Sequence, residues 1–164
     1  MGANSVTEGH LSSLMCIVRD RFETLISAIE ERGYTVIVTS SYRSAAKQAE
    51  LYKDKSMHKS SIAKPGKSQH QVRIAIDINI KKDGKQWMKG TKKQDWEATG
   101  IPELAKNLGF RWGGNFSKYD PVHFDLKDDF SANKLSGELS YNRTVPLSTG
   151  LTCLVEDFLK RFTK

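Results

Sequence analysis

The stretch "RIAIDINI", residues 73–80, constrains this chain more than any other. Side chains alternate across an extended backbone, so Ile74, Ile76, Ile78 and Ile80 share one face, with Arg73, Ala75, Asp77 and Asn79 on the other. Four β-branched apolar residues in step predict a strand that seals a core. Its other face can then aim the Asp77 carboxylate into a cleft. "KKDGK" follows, with Asp83-Gly84 signalling a hairpin turn. "YTVIVTS", 34–40, reads as a second buried strand and "PVHFDL", 121–126, as a short third one.

Helical spacing surrounds these strands. "SVTE" at 5–8 has the form of a capping box, and Leu11, Leu14, Met15, Val18, Phe22, Leu25, Ile26 and Ile29 follow at steps of three and four. This pattern predicts one helix with a single apolar stripe, stopped by Gly33. "SAAKQAELYK", 44–53, favours helix, and a Lys/Ser/Gly-rich loop runs on to residue 67. "IPELAKNLGF", 101–110, predicts a short helix opened by Pro102 and ended at Gly109. Leu151, Leu154, Val155, Phe158, Leu159 and Phe162 form a last stripe, read as a helix packing on its own core rather than on a membrane. No repeat and no long linker divides the 164 residues, so one domain over 1–164 is expected.

Composition narrows the class. No apolar run is long enough to span a bilayer. The N-terminus "MGANSVTEGH" lacks the order of a secretion signal, so any action outside the cytoplasm is expected to depend on another route. Cys16 and Cys153 read as two buried free thiols, with one long-range disulfide as the alternative. The net charge of +7 is uneven: residues 43–93 hold fourteen Lys/Arg against four Asp/Glu, a local balance of +10. Such asymmetry favours a polyanion: nucleic acid, cell-wall polymer or membrane surface. The region is mostly lysine, without a recognition helix or an aromatic RNA-binding signature, which ranks nucleic acid last.

His70, Asp77 and His123 together supply two imidazoles and a carboxylate, a donor set that suits a catalytic zinc with a fourth position left for water. Asp120, three residues before His123, is a candidate proton acceptor. By spacing alone, the same four side chains read equally well as satisfied surface or core groups. The chain has no HExxH, which removes the commonest helical zinc-protease arrangement. His10 and His58 are read as exposed.

The text around these residues carries a resemblance. "SQHQVRIAID" is similar to the S-x-H-x-x-G-x-A-x-D signature of the zinc D-Ala-D-Ala carboxypeptidase and L-alanyl-D-glutamate peptidase family. "GFRWGGNFSKYDPVHFDL" resembles its second signature, a G-F-x-W-G-G turn leading to D-x-x-H-F, and "TSSYRSAAKQAELY" resembles its upstream segment. The three cover residues 39–126 in order. The resemblance implies that His70, Asp77 and His123 bind one Zn2+ ion, that Asp120 is the catalytic base, and that Arg43 faces the substrate or the developing oxyanion. Gln48, Ser68 and Trp112 fall near the site, as substrate-binding or supporting residues. One departure stands out: Arg73 occupies the family's glycine position. If strand alternation extends that far, Arg73 shares the face of Asp77, where a long cation can narrow the cleft, repel the metal or bind a substrate carboxylate.

The expected fold is α+β: a small, mostly antiparallel sheet bearing zinc on one face, with helices on the other, as in D,D-peptidases and the hedgehog domain. Residues 131–164 are expected to pack back on the motif core. The expected function is zinc-dependent hydrolysis in the peptidoglycan stem, as an L-alanyl-D-glutamate endopeptidase of a phage endolysin. Such an enzyme is made in the host cytoplasm and released through holin-type lesions. It is expected to act as a monomer, without nucleic acid or membrane insertion, held on anionic wall or outer-membrane surface by its basic half. The alternatives are a D,D-carboxypeptidase or dipeptidase acting on terminal D-Ala, and an inactive metal-bound wall-binding module.

Overall fold

The computed structural model of the chain describes residues 5–54 and 62–128. Helices α1 (Ser5–Ser12) and α2 (Cys16–Glu30) lead into strand β1 (Thr35–Ser40) and helix α3 (Ala45–Lys53). Strands β2 (Ala75–Lys82) and β3 (Lys85–Trp87) form a hairpin, followed by helices α4 (Lys93–Glu97) and α5 (Ile101–Asn107). Strand β4 (Arg111–Trp112), a 3-10 turn at Gly113–Asn115 and strand β5 (His123–Asp125) complete the described order. The sheet runs β1-β2-β5-β4, with β3 added to β2, and every pairing is antiparallel.

The isoleucine alternation does what its period requires. Ile74, Ile76, Ile78 and Ile80 are fully buried and join Val18, Phe22, Leu25 and Ile29 of α2 in one core. Each contributes about 1.5–3 kcal/mol by leaving water. Trp96 of α4 and Phe124 of β5 close the same core, 6.5 Å apart between ring centroids. At the hairpin, Asp83 and Gly84 both take the positive φ (49° and 75°) that its tight turn needs.

Two expectations change. The long first helix is two helices, because Met15 is extended (φ −57°, ψ 133°) and its N–H donates to the Arg73 carbonyl at 3.1 Å. The Ser13 hydroxyl turns back to the His10 carbonyl at 2.7 Å, ending α1. The stripe survives the break: all eight of its apolar residues are buried. The second change lies at the start of β2, which begins at Ala75 rather than at Arg73. Arg73 adopts φ 61°, left-handed and uncommon for a residue with a side chain, so it does not continue the strand face of Asp77. Cys153, the 151–162 stripe and the extension from 131 onward lie outside the described residues, as does the Cys16 side chain.

Candidate metal centre

Asp77 and His123 are register partners across β2 and β5, so both side chains leave the same face of the sheet. Ile76 and Phe124, paired beside them, point the other way into the core. His70 arrives from the turn before β2, where Gln71 N–H donates to Ser68 O and Arg73 N–H to His70 O. His70 Nε2 lies 3.2 Å and His123 Nδ1 3.0 Å from Asp77 Oδ1. One ligand atom from each of the three residues falls within 4.8 Å of the others.

The outer partners fix which nitrogen of each ring faces inward. His70 Nδ1 sits 2.6 Å from the Ser41 carbonyl oxygen, which can only accept, so Nδ1 carries the proton and Nε2 presents its lone pair. His123 Nε2 donates to Asp125 Oδ2 at 3.0 Å, leaving Nδ1 to the centre. Asp125 is wholly buried and held by both arms of Arg111, each at 2.7 Å, and by the Lys127 N–H at 3.0 Å. A carboxylate behind an imidazole orients the ring and raises its basicity. Sequence reading passed over Asp125, although its position two after His123 on a strand puts both on one face.

These contacts set the charges. Burial opposes a charged His123, yet Asp125 and Asp77 raise its pKa to about 9. Burial would raise the Asp77 carboxyl, but His70 and His123 hold it well below its usual range. An electron-rich oxygen between two imidazoles of fixed orientation is a donor set that fits Zn2+: His70 through Nε2, His123 through Nδ1 and Asp77 through a carboxylate oxygen. These three line one cavity of about 530 Å3.

Asp120 also lines this cavity. Its Oδ1 is buried and accepts no hydrogen bond among the described residues; the Lys89 ammonium stands 3.7 Å away. Burial raises the Asp120 carboxyl, and Asp77 adds to that against the pull of Lys89. The glycine pair before it is required by close approach. A Cβ on Gly113 would overlap the Asp120 carbonyl oxygen, and one on Gly114 would overlap the Trp112 indole. Asp120 N–H donates to Gly113 O at 3.0 Å and His123 N–H to Asp120 O at 3.1 Å, so one compact turn carries both base candidate and ligand.

The remaining expected residues divide. Arg43 lines the cavity, with Nη2 at 3.8 Å from Asp77 Oδ2 and 3.1 Å from Ser40 Oγ. Its Nη1 donates to Gln48 Oε1 at 3.0 Å. Gln48, fully buried, donates in turn to Ala63 O at 2.7 Å and so braces Arg43. Glu50, one turn along α3, pairs with Lys47 at 2.8 Å rather than with Arg43. Ser68 is buried at the cavity wall. Trp112 and Arg73 are not among the cavity residues. Trp112 is buried with Nε1 donating to Pro121 O at 2.7 Å, shaping the turn from behind. Arg73 points the opposite way, onto Tyr42 and Ser13. His10, expected to be exposed, is partly buried with Nδ1 at 3.0 Å from Ser41 Oγ; His58 lies outside the described residues.

Comparison with known proteins agrees with this geometry. Residues 53–126 match the family model described as D-alanyl-D-alanine carboxypeptidase. The peptidoglycan L-alanyl-D-glutamate endopeptidase CwlK of Bacillus subtilis (strain 168) is 36% identical over 130 residues, covering 70% of this chain and 74% of that protein. Among solved structures, the L-Ala D-Glu endopeptidase ChiX of Serratia marcescens aligns with a TM-score of 0.54 at 20% identity, over 77% of this chain and 91% of that one. The vancomycin resistance D,D-pentapeptidase VanY, solved in complex with Zn(II), aligns at 0.53 and 22% identity over 84% of this chain and 83% of that one. At these identities the two solved structures speak for the fold.

Proposed function

Because this chain belongs to the zinc D-Ala-D-Ala carboxypeptidase and L-alanyl-D-glutamate peptidase family, we propose that it cleaves the peptidoglycan stem as an L-alanyl-D-glutamate endopeptidase. The observation that carries the reading is the convergence of His70, Asp77 and His123 on one point of a cavity that also holds Asp120. Identity with CwlK supports the choice of bond. A zinc ion held by His70, Asp77 and His123 would supply Lewis acidity for the scissile carbonyl and for a water.

The protein's own groups do the rest. Asp120, whose buried Oδ1 has no hydrogen-bond donor among the described residues, takes the proton of the attacking water and returns it to the leaving amine nitrogen as the C–N bond breaks. Arg43, kept in place by Gln48 and Ser40, offers a permanent charge and directed N–H groups to a substrate carboxylate or to the oxygen that gains charge. Asp125 and the Ser41 carbonyl hold the two imidazoles in their tautomers.

Digestion of defined muropeptides followed by mass spectrometry tests the bond. A new L-Ala carboxyl terminus is the expected product; release of D-Ala alone would replace this reading with the carboxypeptidase one. Asp120→Asn should lower turnover by about 10²–10⁴-fold while zinc content stays at the parental level. An unchanged rate would remove Asp120 from the reaction. A lytic role of the endolysin type is part of the proposal, supported by the basic segment at 43–93, and calls for clearing of permeabilised cells by the parent but not by Asp120→Asn.

A further inference from the structure

We infer that Arg73 is a positioning residue for the metal ligand His70, locking together three chain segments so that the Ser41 carbonyl stays against the His70 imidazole. The inference rests on the metal centre and not on which peptide bond is cleaved.

The first segment is the turn carrying His70. It closes three residues later at Arg73, whose N–H donates to His70 O at 3.3 Å. The left-handed backbone there (φ 61°) turns the Arg73 side chain away from the cavity. The second segment is the loop from Ser41 to Arg43. Its Ser41 carbonyl meets His70 Nδ1 at 2.6 Å, and its Arg43 N–H donates to His70 O at 3.2 Å. The third is the break between α1 and α2, residues 13–15.

Arg73 joins all three. Its guanidinium lies 3.5 Å from the centre of the Tyr42 ring, within the second segment. Nη1 donates to Ser13 O at 2.5 Å, and the Arg73 carbonyl accepts from Met15 N–H at 3.1 Å, both within the third. The Ser13 hydroxyl completes the circuit at 2.7 Å from Ser41 Oγ, with the Tyr42 N–H directed at it from 3.4 Å. His10 Nδ1 reaches the same Ser41 hydroxyl at 3.0 Å.

A left-handed position is natural for glycine, which makes the family's glycine at this place a backbone requirement. An arginine here accepts backbone strain and is 95% removed from solvent, and burial draws its pKa down from the ordinary value. What it gains is a grip on the loop whose carbonyl sets the His70 tautomer. Glycine can adopt the turn but cannot reach Tyr42 or Ser13. Partners behind a metal-bound imidazole commonly govern 10–100-fold in affinity.

The test uses the full chain with Arg73→Met, Arg73→Lys and Arg73→Gly. Zinc affinity is read by competition with a chromophoric chelator, and the His70 tautomer by nitrogen-15 NMR of the metal-free protein. Arg73→Met should weaken zinc binding about tenfold or more and erode the Nδ1–H signature of His70; Arg73→Lys should recover part of both. Arg73→Gly is the sharpest variant: it keeps the left-handed turn that carries His70 and removes only the grip on Tyr42 and Ser13, so it should bind zinc more weakly. Parental zinc affinity and parental His70 tautomer in Arg73→Gly and Arg73→Met would overturn the inference. Should Arg73→Met fail to fold, parental zinc affinity and a parental His70 tautomer in Arg73→Gly would overturn it by themselves. A parent that binds zinc but cuts no stem peptide would count against the proposed function and leave this result standing.

Discussion

In the metal-free protein His123 stands between two carboxylates, each 3.0 Å from one of its ring nitrogens. Its pKa of about 9 is above the ordinary 6.5, so the charged ring contributes stability in full below pH 6.5, and that contribution fades as pH rises through about 9. Zinc needs the Nδ1 lone pair, so its binding must displace that proton. Calorimetry at pH 7.5 in buffers of different ionisation enthalpy should show about one proton released per zinc, falling towards none above pH 9. No release at pH 7.5 would mean that His123 is already neutral there. At this scale the sequence was partly legible. His70, Asp77, His123 and Asp120 stood out through the text around them rather than through spacing, which by itself allowed ordinary surface groups. Arg73 was placed in the cleft because strand alternation was extended two residues too far; a left-handed residue leaves no periodic trace.

The turn from Gly113 to His123 joins two short strands, and its conformation depends on a missing side chain. Gly113→Ala sets a methyl group against the Asp120 carbonyl oxygen and the His123 Cβ. The backbone must shift, at a cost on the order of 1–3 kcal/mol, and Asp120 and His123 move with it. A thermal melt should show the loss, and turnover should fall well beyond what the lost stability explains; a variant as active as the parent would show that the turn tolerates displacement. Elements with a clear period were readable: β1, β2 with its hairpin, α3 and α5. Strand β4 has two residues and α4 five, too few for any pattern to register. The break between α1 and α2 was unreadable for another reason: it is made by the Arg73 carbonyl, nearly sixty residues further along the chain.

Taken whole, the molecule concentrates positive charge around the cavity that holds His70, Asp77 and His123. Arg43, Lys67, Lys89, Arg111, Lys118 and Lys127 line the cavity against the carboxylates of Asp77, Asp120 and Asp125. The cations of Arg43, Lys89 and Arg111 lie within 4 Å of a carboxylate, whereas the ammonium groups of Lys118 and Lys127 form no ion pair among the described residues. A stem peptide with free carboxylates should therefore be favoured over its amidated form. Lys118→Ala and Lys127→Ala should each raise KM for the free-carboxylate peptide about two- to fivefold, with little effect on the amidated one and less difference at high salt. Equal losses on both peptides would assign these lysines to something other than carboxylate recognition.

Strand β5 has only three residues, and they alternate between the metal centre and the core: His123, Phe124, Asp125. A slip of one position against β2 would turn Phe124 onto the metal-centre face and drive both polar neighbours into the apolar core. Metal capture is thus a report on correct assembly. A chain that has paired its strands wrongly presents neither the ligand nor the carboxylate behind it, so only properly built copies can be armed.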